Sequence, residues 1–166
     1  PETPIYTKSK TLYGLNWAKG GIVAADQAIV CEGYTDVIGF HRAGLPRAVA
    51  TCGTAFTDEH VRLLKHDASR VVLAFDADKA GQGAAERFYE WEEKYQVQVS
   101  VARFPDGKDP GDLSLSDPDA LRDAVEHALP FLGFRLQRVW NMRPLRTPED
   151  KARAAKDAMA VVNEHP

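Results

Sequence analysis

Cysteine is nearly missing from this chain, with only Cys31 and Cys52 among 166 residues. Each stands at the end of an apolar run, so two buried, reduced thiols are expected rather than a disulfide or a cysteine-ligated zinc site. That usage points to a cytoplasmic protein. No apolar run approaches the ~20 residues that a membrane-spanning helix needs, and no charged-then-apolar leader opens the chain. An excess of basic charge is lacking too: 21 Lys and Arg stand against 24 Asp and Glu, a formal net charge of −3. Binding nucleic acid by bulk charge requires a basic surface, so only a local basic patch remains open. With 44% hydrophobic and 27% charged residues, disorder is excluded as well. The length suits one domain and a small appendage. The chain opens on Pro1 and closes in a helical pattern, and it is expected to be a piece of a longer protein.

What the chain does contain is organised around Val71-Val72-Leu73-Ala74-Phe75-Asp76-Ala77-Asp78. Five apolar residues without a break read as a strand buried on both faces, the habit of parallel sheets. Residues two apart on a strand point the same way, so Asp76 and Asp78 emerge together at its carboxyl end, where open α/β sheets form their ligand crevice. Two carboxylates ~4 Å apart repel by roughly 4 kcal/mol at an effective dielectric near 20. A divalent cation would offset that repulsion. The alternative is a helix cap at Asp78 beside a solvated Asp76.

Two further units precede this one. Residues 28–31 form a short apolar run that ends at Glu32-Gly33-Tyr34-Thr35-Asp36. Thr35 reads as an N-cap, with Asp36 in the first turn of a helix through Arg42. Residues 47–52 repeat the pattern, followed by Gly53-Thr54 and a helix from about Thr57. Gly53-Thr54 is either a plain turn or a close backbone approach to phosphate. His60 and His66 lack the i, i+4 spacing of a helical metal pair and read as surface or partly buried residues. Upstream, a short helix is expected over about 15–23, and Lys8 and Lys10 read as one face of an extended segment. Downstream of the Asp pair a helix runs over about 79–95, with Ala80, Ala84, Phe88 and Trp91 as its buried stripe. Residues 97–104 alternate like a half-exposed strand near a sheet edge. They lead to an acid-rich loop, Pro105-Asp106-Gly107-Lys108-Asp109-Pro110-Gly111-Asp112. From about residue 118 the pattern is helical. Ala152, Ala155, Met159 and Val162 there form a narrow seam that needs a partner helix.

Successive βα units predict a doubly wound, mainly parallel sheet flanked by helices and followed by a C-terminal helical segment. The boundaries are drawn as 1–27, a linker or the end of a preceding subdomain; 28–129, the α/β domain; and 130–166, the start of a helical subdomain. Glu32, the Asp76/Asp78 pair and the Asp106–Asp112 loop would share one crevice, with Lys79 and Lys108 as its few cations. Such a pocket suits magnesium, which takes one or two carboxylates and keeps waters for substrate phosphates. Two ions ~4 Å apart can activate a hydroxyl and stabilise a leaving pyrophosphate.

At this point the wording of the motifs becomes specific. Glu32-Gly33 followed by Asp76-x-Asp78 resembles the Toprim domain of primases, topoisomerases and several nucleases. The segments 30–36, 75–81 and 105–110, together with the opening Pro1-Glu2-Thr3-Pro4 through Lys8 to Leu15, resemble bacterial DNA primases of the DnaG type over roughly residues 1–140. The resemblance implies RNA primer synthesis from nucleoside triphosphates on a single-stranded DNA template, with Mg²⁺ or Mn²⁺, two or more ions, as cofactor. It implies Glu32, Asp76 and Asp78 as catalytic and metal-binding residues, Asp109 and Asp112 as further ligands, and Asp36 in support. Lys8 would meet nucleotide phosphate or nucleic acid, with Lys10, Lys79, Gly53 and Thr54 as further contacts. One departure stands out: Gly111 occupies a position where some family members carry an acid. The family's zinc-binding domain, basic subdomain and helicase-binding domain are expected outside these residues, and no membrane is implied. Competing readings are another Toprim enzyme, a receiver-like signalling domain that binds metal, and a structural module with an incidental acidic cleft. The first would need a topoisomerase tyrosine on a separate domain. The second would need an acidic pair after the first strand rather than the third.

Overall fold

A computed structural model describes residues 2–4, 6–75, 82–105, 108–142 and 144–165, the side chains of 82–86 excepted. Five strands form one sheet: β1 (Gln27–Cys31), β2 (Ala48–Ala50), β3 (Arg70–Leu73), β4 (Gln98–Val101) and β5 (Leu129–Pro130). Their order is β2-β1-β3-β4-β5. The first four are parallel, with Val30 opposite both Val49 and Leu73, and β5 joins β4 antiparallel. The mainly parallel, doubly wound sheet expected from the βα repeats is therefore present. The strand over 97–104 differs in one respect. β4 is not an edge, because the two-residue β5 covers it. Two residues are too few to carry a recognisable strand pattern.

Among the described residues, eight helices flank the sheet: α1 (Leu15–Ala25), α2 (Tyr34–Arg42), α3 (Asp58–Leu64), α4 (Gln82–Tyr95), α5 (Pro110–Ser116), α6 (Pro118–Glu126), α7 (Phe131–Asn141) and α8 (Pro148–Asn163). The strand period of two sorts the core into two layers. Val30, Val49, Val71, Leu73, Val99 and Val101 face Ile22, Val61, Leu64, Phe88, Trp91 and Phe131, the layer of α1, α3, α4 and α7. Ile29, Cys31, Ala48, Ala50, Val72 and Ala74 face Val37, Phe40, Leu113, Leu121 and Val125, the layer of α2, α5 and α6. Both faces of the sheet are thus covered, which is why its strands read as unbroken apolar runs. No described helix is long and apolar enough to cross a membrane.

Several local expectations are corrected. Lys8–Lys10 is a 3₁₀ turn, not an extended segment. Residues two apart in such a turn point to different sides, and Lys8 is half-buried while Lys10 is exposed. The N-cap of α2 is Gly33, two residues before Thr35, because the Asp36 carboxylate reaches back to the Gly33 N–H at 3.0 Å. The acid-rich loop ends early: Asp109 caps α5, and Pro110 takes its first turn. His60 is fully buried, while His66 is exposed as expected. In α8 the buried face is Ala154, Ala158 and Val161, whereas Met159 and Val162 are exposed.

Candidate active site

The strand order fixes where a ligand can sit. From β1 the chain turns to α2 on one face, and from β3 it proceeds to α4 on the other. Neighbouring strands whose connections leave to opposite faces open a crevice at their carboxyl ends. Glu32 follows β1 directly and is exposed there. Its backbone is tied to the next corner: the Cys52 N–H donates to the Glu32 carbonyl at 2.9 Å, and the Thr51 N–H donates to the Cys31 carbonyl at 3.2 Å. β3 delivers the chain to the same edge, where the Ala74 N–H donates to the Val30 carbonyl at 2.8 Å. Asp76, Asp78, Lys79 and Asp106, the acids and lysine expected next, lie outside the described residues.

Asp36 is the buried acid of this edge, at 9% exposure. It sits in the first turn of α2, where a helix dipole favours negative charge. Its carboxylate accepts from the Gly33 N–H at 3.0 Å, and the Gly111 backbone lies beside it. Burial nevertheless raises its pKa above the ordinary carboxylate value, and the charges of Asp109 and Glu32 push the same way. Asp36 therefore meets like charge from both Asp109 and Glu32, and the backbone N–H groups only partly compensate. A Cβ on Gly111 would stand 3.2 Å from Asp109 Oδ1 and 3.7 Å from Asp36 Oδ1. The glycine thus lies between the two carboxyls. Asp109 also accepts from the Asp112 N–H at 2.7 Å, while Asp112 itself is exposed in the first turn of α5. Glu32 was legible as a strand-end acid and Asp36 as a first-turn helix acid whose supporting role the resemblance implies. The contribution of the Gly33 and Gly111 N–H groups was not, since a backbone donor leaves no mark in the sequence.

One cation stands at the neighbouring corner after β2. Lys8 Nζ lies 3.7 Å from where a Cβ on Gly53 would be. Gly53 has φ +82° and follows Cys52 at φ +51°, so the corner after β2 is a left-handed turn that favours glycine. Thr54 is half-buried in the same turn, and Lys10 is not brought to it by any described contact. Cys31 and Cys52 are both free thiols, and burial pushes the Cys31 thiol far up and Cys52 up. Neither is a candidate nucleophile at neutral pH. Among the described residues, no three His, Cys, Asp or Glu side chains close a metal site by themselves. The donors that do converge are carboxylates, the chemistry of a hard cation rather than of zinc.

Comparison with known proteins gives this geometry a context. Residues 29–114 match the family model described as Toprim-like. A DNA primase of Streptomyces coelicolor is 43% identical over 168 residues, covering 98% of this chain and 26% of the relative. A DNA primase of Mycobacterium tuberculosis is 39% identical over 172 residues, covering 99% of this chain and 27% of the relative. This chain therefore spans about a quarter of the length of the curated relatives it matches. Among solved structures, the RNA polymerase domain of Mycobacterium tuberculosis primase DnaG in complex with double-stranded DNA superposes with a TM-score of 0.83 at 38% identity, over 99% of this chain and 54% of that one. A DnaG primase catalytic domain bound to single-stranded DNA gives 0.72 at 32% identity, over 100% of this chain and 55% of that one. With a Toprim-like match across just over half of its residues and primase relatives along nearly all of its length, the chain belongs to the Toprim-like family, in the branch of the bacterial DNA primases.

Proposed function

We propose that this chain is the metal-binding catalytic part of a primase, which joins ribonucleotides into an RNA primer on single-stranded DNA. The observation that carries the proposal is the burial of Asp36 at the carboxyl end of the sheet, with the Gly111 backbone between it and Asp109 and with Glu32 adding like charge. Clustered carboxylates of this kind mark a site that awaits a cation. Glu32, Asp76 and Asp78 hold and serve the reacting centre. Asp109 and Asp112 are further ligands, and Asp36 supports them from beneath. Mg²⁺ or Mn²⁺, when bound, would favour the attacking hydroxylate and neutralise the leaving pyrophosphate. Lys8 meets the triphosphate from the Gly53 corner, with the Gly53-Thr54 turn as a backbone contact and Lys10 and Lys79 as further contacts.

The DNA complexes of the related primase domains support a nucleic-acid partner. A net charge of −3 supports a template track formed by other parts of the parent protein. In this reading residues 28–129 are the Toprim unit, 1–27 lead into it and 130–166 begin a helical subdomain. Zinc and the replicative helicase engage other regions of the parent, which works in the cytoplasm on the replicating chromosome. The isolated fragment binds divalent cation and makes little or no primer. The test is primer synthesis by the full-length parent carrying Glu32→Gln or Asp76→Asn. Each is expected to lower kcat by about 100-fold or more, the scale of removing one preorganised charge from such a centre. Unchanged activity would overturn the site assignment.

A further inference from the structure

His60 lies at 0% exposure, its ring stacked on Phe56 with centroids 5.9 Å apart and planes 17° from parallel. A buried imidazole must satisfy both nitrogens. Nδ1 faces the Thr57 N–H at 3.3 Å, and Nε2 faces the Lys8 carbonyl at 2.8 Å. A backbone N–H only donates and a carbonyl only accepts, so the partners themselves fix the tautomer: Nδ1 accepts and Nε2–H donates. Burial lowers the pKa of His60, against the pull of the Lys8 and Thr11 carbonyls, which keeps the ring neutral. Thr57 adds a second tie. Its hydroxyl donates to the Ser9 carbonyl at 2.7 Å and accepts from the His60 N–H at 3.3 Å. The first turn of α3 thus grips two consecutive carbonyls of the 3₁₀ turn, from 48 and 52 residues away in sequence.

Core packing alone does not call for this arrangement, since a phenylalanine would stack on Phe56 equally well. What the imidazole adds is a strut of fixed length between α3 and the backbone of Lys8. That lysine's ammonium lies over the Gly53 corner, and the adjoining Cys52 N–H is bonded to the Glu32 carbonyl. We infer that His60 is a positioning residue: it holds the turn that carries Lys8 so that the ammonium sits at the Gly53 corner and meets the triphosphate there. The inference rests on the reading of the site proposed above.

The experiment uses the full-length parent with all four ribonucleoside triphosphates on a single-stranded DNA oligonucleotide, and measures KM for nucleotide and kcat separately. His60→Phe keeps the stack and removes both polar ties. It is expected to raise KM about tenfold, the cost of one well-made hydrogen bond, with kcat within about twofold. His60→Asn offers an acceptor to the Thr57 N–H but is too short to reach Lys8, and it should behave like His60→Phe. His60→Gln restores a donor within reach and should recover KM to within about threefold of wild type. The double variant Lys8→Ala/His60→Phe should be no worse than Lys8→Ala alone, because a strut without its load does nothing. If Lys8→Ala leaves KM unchanged, the site reading fails, and this inference fails with it. If Lys8→Ala raises KM while His60→Phe does not, or the two effects multiply, the site reading stands and the positioning role is overturned. Should His60→Phe not fold, the Asn and Gln variants and their Lys8→Ala doubles decide on the same criterion.

Discussion

The two ends of the sheet treat aspartate in opposite ways. At the amino end, Asp26 accepts from the Ser69 N–H at 2.7 Å and the Ser69 hydroxyl at 2.5 Å, and those bonds, with the Arg70 charge behind them, hold its carboxyl below the ordinary value. Arg70 also donates to the carbonyls of Ala25 and Asp26 at 2.6 and 3.2 Å, closing the last turn of α1. At the carboxyl end, Asp36 is buried beside Asp109 and Glu32, and its carboxyl is held above the ordinary value. One end has its charges matched by donors and a cation. The other gathers like charges, with backbone N–H groups alone set against them. Under the proposed function, stability and function occupy opposite ends of the same strands, as expected where a site needs an arrangement that folding alone would not choose.

The first way to break this comparison is through packing. At the amino end, Gly21 of α1 lies so close to the turn before β2 that an added Cβ would stand 2.2 Å from the Pro46 carbonyl oxygen. A backbone atom at that distance cannot rotate away, so Gly21→Ala is expected to cost about 3 kcal/mol or more. At the site end, a Cβ on Gly39 of α2 would meet the Pro110 carbonyl and the Ser114 hydroxyl at 3.0 Å each. The hydroxyl can turn aside and α5 can shift by a few tenths of an ångström. Gly39→Ala should therefore cost about 1 kcal/mol. Urea midpoints of the two variants measure the contrast. Equal costs, or the reverse order, would mean that the amino end is not the more rigid of the two.

These contacts also show which parts of the molecule the sequence could announce. β1 and β3 were readable because both of their faces are buried; the order β2-β1-β3, and with it the switch point, was not. Glu32 and the acids near α5 were readable as strand-end carboxylates. Phase was harder than period. In α8, alanines at 152, 154, 155, 158 and 160 stand on several sides of the helix, and packing against α7 selected Ala154, Ala158 and Val161. The burial of His60 was illegible for a different reason. Its distant partner is a single backbone carbonyl, that of Lys8, 52 residues upstream, and only the Thr57-x-x-His60 spacing, laid out like a capping box, marked it. The Asp76/Asp78 pair, on which the sequence argument turned, lies outside the described residues, so its roles rest on the proposal.

The smallest expected effect is the sharpest, because it carries a sign. The folded-state pKa of Asp36 lies above its ordinary value of 3.8. Between 3.8 and the raised value the folded protein binds more protons than the unfolded chain, so stability falls as pH rises through that window and stays reduced at pH 7. Asp26 runs the other way. Its depressed pKa contributes stability above 3.8 that is lost as pH falls through the folded-state value. Asp36→Asn keeps one acceptor for the Gly33 N–H and removes the charge. In chelator at pH 7 it is expected to change stability by less than about 1 kcal/mol, in the stabilising direction, since relief of repulsion offsets one weakened hydrogen bond. Asp26→Asn should destabilise at the same pH. Millimolar Mg²⁺ should reverse the first comparison, stabilising wild type more than Asp36→Asn, because a cation turns the repelling carboxylates into ligands. Urea melts at pH 7 with chelator or Mg²⁺ provide the measurement. If Asp36→Asn loses more than about 1 kcal/mol in chelator, Asp36 is a stabilising cap like Asp26, and the two ends of the sheet do not differ in kind.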